Sequence, residues 1–191
     1  MDVYKAIIAR RTIRKYKQKN IEIELLKKFI NAGRRAPSAA NLQPLRYMIV
    51  MNEKLKQRIF KNLKFARYLG AEGKPKAGEK PVAYIIILND MNISKNPATY
   101  DVGASAENIT LSALAEGIGC CWIRSFNNKN LVKILNISPV HEIELVIALG
   151  YPAEISICED IENNSSIKYY RDSVGTLHVP KRKLENIIEI L

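Results

Sequence analysis

The chain has 191 residues, 47% apolar and 26% charged; that supplies one sizeable core and is too short for two comfortable domains, so a single domain over residues 1–191 is expected. No apolar run approaches the length of a bilayer span, and the N-terminal stretch MDVYKAIIAR lacks a signal-peptide cleavage pattern, so a cytoplasmic protein without a membrane partner is expected. Three cysteines, with Cys120 and Cys121 adjacent, and two distant histidines, His141 and His178, outline neither a disulfide framework nor a metal site. The net charge of +11 raises nucleic-acid binding, but the lysines spread along the whole chain without an arginine-rich helix or an aromatic-studded strand. A lysine-rich soluble surface is the simpler reading, with a few cations converging on a small anion such as a phosphate.

In chain order, residues 2–10 read as a short helix. Residues 22–34 form a clearer one, because Leu25, Leu26, Phe29, Ile30 and Gly33 repeat at helical spacing while Lys27, Lys28, Asn31 and Arg34 take the other face. The runs RYMIVM (46–51) and VAYIIIL (82–88) are strands. Helical periodicity occupies 52–69, and GAEGKPKAGEKP (70–81) then breaks all pattern, as a mobile surface loop does. Residues 101–119, DVGASAENITLSALAEGIG, predict a helix that starts at Asp101 and is stopped by Gly117 and Gly119. Apolar and small residues cover nearly its whole circumference, which predicts burial on all sides, as a core helix or one shared between subunits. CCWIRSF (120–126) reads as a strand, NKNLVKIL (128–135) as a helix and IELVIALGYP (143–152) as a further strand. The tail TLHVPKRKLENIIEIL gathers basic residues just after Pro180.

The loop RRAPSAANLQP, residues 34–44, has an unusual build. Pro37 ends the preceding helix, and Ser38, Ala39 and Ala40 occupy so little room that backbone can lie against a flat ligand. Asn41 and Gln43 offer amide donors and acceptors for the polar edge of such a ligand. The plainer alternative is a helix-to-strand connection in which Asn41 caps backbone groups. Near the N-terminus, ARRTIRKY places Arg10, Arg11, Thr12 and Arg14 within five residues, three phosphate-binding guanidinium groups and one hydroxyl.

These two segments, GIGCCWIRSF after the long helix and VPKRKLENI near the C-terminus, occur in an order and spacing that resembles the nitroreductase family of flavin mononucleotide (FMN) enzymes. The resemblance runs from about residue 4 to residue 188 and is weakest between about 60 and 80. It implies an α+β, three-layer fold, a mixed and mostly antiparallel central sheet flanked by helices, assembled as an intertwined homodimer. Two flavin sites then lie between the subunits, the long helix lies at the interface, and the C-terminal segment crosses to the partner. By the same resemblance Arg10, Arg11, Thr12 and Arg14 hold the flavin phosphate and ribityl chain, with threonine where serine is common. Pro37, Ser38, Ala39 and Asn41 belong to the loop that the other subunit lays on the ring. Ile123, Arg124 and Ser125 match the strand end whose backbone N–H groups face flavin N5; Arg124 and Ser125 depart from the glutamate, glycine or alanine of many members. Lys181 and Lys183 complete the phosphate site. Asp101 falls where some members place an amide, so its acid is a departure.

The implied chemistry is flavin-centred: NADH or NADPH as co-substrate delivers hydride to N5 and is replaced by a small electrophilic acceptor, a nitroaromatic or quinone, in a ping-pong cycle. No side chain is nominated as acid, base or nucleophile, and no metal is expected. Cys120 and Cys121 read as buried small hydrophobes, and Trp122 and Tyr47 as core aromatics, with the walls of a flavin pocket as the alternative. Two alternatives stay open: a specialised flavin enzyme of the same superfamily, such as a reductive dehalogenase or a flavin-fragmenting enzyme, and a basic nucleic-acid-binding domain.

Overall fold

The computed structural model describes residues 2–95 and 99–191. Along the chain run α1 (Val3–Ala9), β1 (Tyr16–Lys17), α2 (Ile23–Gly33), β2 (Leu45–Val50), α3 (Glu53–Lys61), β3 (Ala83–Asp90) and α4 (Thr99–Ala115). There follow β4 (Gly119–Ile123), α5 (Asn128–Leu135), β5 (His141–Pro152), β6 (Ser156–Ile161), β7 (Tyr170–Arg171) and β8 (Leu177–Arg182). Short 3-10 turns occupy Ala39–Asn41, Arg67–Gly73 and Leu184–Asn186.

β3 is buried at all eight positions, which its unbroken run of isoleucines requires. β2 and β5 pair with it on either side, and β4 and then β1 continue along the far edge of β5, all antiparallel. Alternate residues of the central strands point to opposite faces. Tyr84, Ile86, Val146 and Ala148 pack with Ile59 of α3 and Leu131 of α5. Ile85, Ile87 and Ile147 pack with Phe29 of α2 and Ile109 of α4 on the other face. The result is helices, sheet, helices: the three-layer α+β fold expected. A second sheet of β6, β8 and β7 includes the parallel pair β6–β8, so the strand arrangement is mixed. Among the described residues no helix is long and apolar enough to cross a membrane.

Three elements differ most from expectation. The helix expected over 52–69 stops at Lys61, after which Leu63 bridges Phe126 and Ala66 turns left-handed at φ 39°. α4 ends at Ala115 rather than at residue 119, because Gly117 takes φ 71° and closes a Schellman cap, with Ile118 N–H donating to Ala113 O and Gly117 N–H to Leu114 O. Its buried residues, Asp101, Val102, Ser105, Ala106, Ile109, Thr110 and Ala113, lie on one side only. The chain itself leaves the other side half-exposed, so burial all round is not met within one copy. The segment 70–81 is also more built than a mobile loop: the turn Arg67–Gly73 enters it, and the carbonyl of Glu79 accepts from Tyr16 N–H at 3.0 Å.

Candidate functional site

Gly119 and Gly150 stand opposite each other in the β4–β5 register. A Cβ on Gly119 would lie 2.7 Å from Ile13, and one on Gly150 2.6 Å from the Tyr16 ring. This bare patch lets residues 12–16 lie flat on the sheet edge, where Thr12 bridges Cys120 and Ile13 N–H donates to Cys120 O at 2.9 Å. The segment thereby carries Arg10, Arg11 and Thr12 off the end of α1 and along the start of β4.

There Arg10, Arg11, Thr12 and Lys181 line one cavity of about 570 Å³, with Ile7, Ile8, Cys158, Asp160 and Val179. Three cations and a hydroxyl thus face a single acid. Arg10 is steadied by Glu107, Nε to Oε1 3.0 Å, and Arg11 caps the carbonyl of Ile8 at 2.7 Å. The other two predicted cations lie elsewhere. Lys183 is paired with Glu162, an interaction that raises its own pKa and lowers that of the glutamate. Arg14 stacks on Tyr169, 5.0 Å from the ring centroid, while its Nε is buried without a hydrogen-bond partner among the described residues.

β4 leads away from this cradle. Within the strand Cys120 and Cys121 are buried on opposite faces of the sheet, and desolvation pushes both thiols up, Cys121 to about 11, so neither is a nucleophile at neutral pH. Trp122 is 40% exposed rather than core, with Nε1–H donating to Thr110 Oγ1 at 2.8 Å. Beyond the buried Ile123, Arg124 and Ser125 are exposed at the strand end.

The loop after α2 forms a separate half-site. Ala40, Asn41 and Gln43 have φ of 49°, 54° and 52°, the left-handed region that glycine favours. Asp101 Oδ1 ties this shape to α4, accepting from Ala39 N–H at 3.2 Å, and within the loop Ser38 Oγ accepts from Gln43 N–H at 3.1 Å, Ser38 O from Asn41 N–H and Ala39 O from Leu42 N–H. Asn41 caps nothing. Its side chain is exposed and makes no hydrogen bond among the described residues, whereas Asp101 and Ser38 do the work that the plainer reading assigned to it. Pro37 and Ser38 line a cavity of about 310 Å³ with Arg34, Arg46, Tyr47, Asp101 and Ser105. Tyr47 reaches across it to Ser105, hydroxyl to hydroxyl 2.8 Å. Sequence reasoning preferred the core to a pocket wall for Tyr47 and missed Ser105; the i, i+4 spacing of Asp101 and Ser105 on a helix was the available signal.

The two half-sites share no lining residue. Asp101 and Ser105 serve one at the N-terminal end of α4, whereas Arg10 meets Glu107 further along it. One chain therefore brings Arg10, Arg11, Thr12 and Lys181 together and keeps Pro37, Ser38, Ala39 and Asn41 apart from them.

Comparison with known proteins places this arrangement. Residues 7–66 and 71–151 match the model of the nitroreductase family. A protein of Methanothermobacter thermautotrophicus, provisionally named NADH dehydrogenase/NAD(P)H nitroreductase, is 34% identical over 161 residues, 81% of this chain and 79% of its own. A crystal structure of a protein with the same provisional name from Parabacteroides distasonis superposes with a TM-score of 0.69 at 25% identity, covering 89% of this chain and 96% of that one. A provisionally named nitroreductase of Desulfovibrio desulfuricans, solved in complex with FMN, superposes with a TM-score of 0.73 at 22% identity over 98% of this chain and 95% of its own. With a family match over most of its length and a relative above 30% identity, this chain belongs to the nitroreductase family.

Proposed function

We propose that the protein is an FMN-dependent oxidoreductase that passes reducing equivalents from NADH or NADPH to small electrophilic acceptors, nitroaromatics or quinones, by a ping-pong cycle, as a homodimer with its flavin sites between subunits. The observation that carries this reading is the convergence of Arg10, Arg11, Thr12 and Lys181 on one cavity at the head of an edge strand. The donor set suits a phosphate: guanidinium forks and an ammonium answer a dianion, and a hydroxyl answers its remaining oxygen. The FMN held by the Desulfovibrio relative supports the same choice of ligand.

In this reading Arg10, Arg11 and Lys181 neutralise the phosphate, and Thr12 donates to it. The backbone of Ile123, Arg124 and Ser125 orients the ring at the far end of β4. The loop of the other subunit supplies Pro37, Ser38 and Ala39 as a flat surface and the free amide of Asn41 as a partner for the ring edge. Lys183, engaged by Glu162 here, joins the phosphate only by leaving that carboxylate. Arg14, with its orphaned Nε, has one donor in reserve. When bound, FMN supplies a two-electron carrier; the chain contributes orientation, positive potential and exclusion of water.

The visible spectrum of the purified protein with and without added FMN, followed by anaerobic NADH and then NADPH, tests the proposal. A bound flavin that bleaches is the expected result. The reading fails if the protein takes up no FMN, or if neither nucleotide bleaches it.

A further inference from the structure

Glu144 is an anomaly in the central sheet. The β3–β5 register slips so that Ile143 and Leu145 oppose the consecutive residues Leu88 and Ile87, which leaves Glu144 as the extra residue of a β-bulge. Its side chain is 4% exposed, and burial first, then Glu142, pushes its pKa up. The cation that faces it is Arg124, with Nη2 4.0 Å from Oε2. Arg124 is itself 64% exposed. One side of its guanidinium therefore rests against a buried carboxylate while the rest is open to a ligand. Burying an acid costs stability unless the pairing is used, and bulges commonly re-aim side chains beside active sites.

Arg124 is also placed where a bound ring would end. From Cys120, which bridges Thr12, to Arg124 the strand advances about 13 Å. A ligand with its phosphate at Arg10–Thr12 and its length along β4 brings its far end to Arg124.

We propose that Arg124, seated by Glu144, is a specificity-determining residue that favours electron acceptors carrying a carboxylate or comparable anionic group over neutral acceptors of the same shape. The assignment rests on the flavin-site reading above. Glu144 acts through Arg124 as a positioning residue.

The test compares the equilibrium dissociation constants of 4-nitrobenzoate and 4-nitrobenzamide, measured by calorimetry on the oxidised, FMN-loaded protein without reductant. The carboxylate should bind about tenfold tighter than the amide, the size of one charge-assisted hydrogen bond in a partly dry site. Arg124→Gln should bring the ratio of the two constants close to one, and Arg124→Lys should keep most of the preference. The double variant Arg124→Gln with Glu144→Gln removes both charges, so no buried acid is left unpaired, and its ratio should also be close to one. A wild-type ratio near one, or a ratio that survives in the double variant, overturns the assignment. FMN uptake and bleaching by NADH or NADPH are read on the same samples. A protein without flavin overturns the flavin reading and this one together, whereas a protein that loads and bleaches with a ratio near one overturns only the role of Arg124.

Discussion

Replacing Asp101 by alanine probes how the loop at 38–43 is held. Asp101 is 9% exposed, and its Oδ1 accepts from Ala39 N–H at 3.2 Å. Removing a charged acceptor from a partly buried donor costs about 1.5–3 kcal/mol. Against that tie stands backbone strain: a non-glycine residue in the left-handed region costs about 1–2 kcal/mol, and Ala40 sits there at φ 49° with Asn41 and Gln43 close behind. The tie and the strain are similar in size. Without the carboxylate the loop loses this tie to α4 and keeps its own short-range bonds among residues 38–43, and relaxed conformers compete with the ordered one. Asp101→Ala should therefore lose about 2 kcal/mol in urea unfolding, and the FMN dissociation constant should rise about tenfold, the factor that 1.4 kcal/mol of loop ordering sets. Asp101→Asn keeps an acceptor oxygen and should lose less than half as much. Wild-type stability and wild-type FMN affinity in Asp101→Ala would refute the argument, because the loop would then stand without its anchor. Lost stability with unchanged affinity would detach the loop from the cofactor.

Three further outcomes are expected. Gly119→Ala forces a Cβ to within 2.7 Å of Ile13, so it should destabilise the protein by about 1–3 kcal/mol and weaken FMN binding by shifting Arg10–Thr12; urea unfolding and FMN titration read both. His178 meets Glu159 at Nδ1 (2.9 Å) and Asp172 at Nε2 (3.1 Å), and these carboxylates, Glu159 first, raise its pKa above the ordinary 6.5. Its contribution to stability is complete below that ordinary value and is lost as pH rises through the raised native one, so the thermal midpoint should fall over that alkaline-going window. His178→Asn should flatten the profile, and an unchanged profile would show that the pair of contacts carries no titrating stability. Asn41→Leu, at an exposed side-chain amide that makes no hydrogen bond among the described residues, should change stability by no more than about 1 kcal/mol and weaken FMN several-fold; equal affinity would show that the amide does not touch the ligand.

The elements legible in the sequence are those set by local chemistry. Residues 128–135 have helical period and a capping asparagine before them, and α5 takes those bounds, with Asn127 Oδ1 accepting from Asn130 N–H. The isoleucine run of β3 admits no other place than a sheet interior. Long-range consequences were not legible. Nothing near Asp101 in sequence indicates Ala39, sixty-two residues earlier. A period of two on β2 places Tyr47 on a face but cannot tell a pocket wall from a core. The cluster at residues 10–14 was legible as a group, yet the structure divides it: Arg10, Arg11 and Thr12 line the cradle, and Arg14 turns to Tyr169. Hydropathy read α4 as buried on all sides because it reports what a helix requires, not whether the same chain supplies it.

The homodimer proposed above would answer both that unmet requirement and the separation of the half-sites. On α4, Gly103, Ala104, Glu107 and Leu111 face outward and are only half-covered, and small residues there permit close approach of another helix. Asp101 and Thr110 sit on opposite flanks of the buried stripe, about 13 Å apart along the axis. A second copy related by a two-fold axis, its α4 antiparallel to the first, brings the loop end of each helix towards the cradle end of the other. It also offers cover for apolar residues left exposed on α1 and in the tail, among them Val3, Ile7, Ile8, Ile187 and Ile190. The same contact would then bury apolar surface and complete two sites. Sedimentation equilibrium should give twice the chain mass, and Leu111→Glu, which puts a charge into the apolar contact face of each α4, should give monomers that no longer retain FMN. A wild-type monomer that binds FMN at full affinity would mean that the two half-sites belong to different ligands.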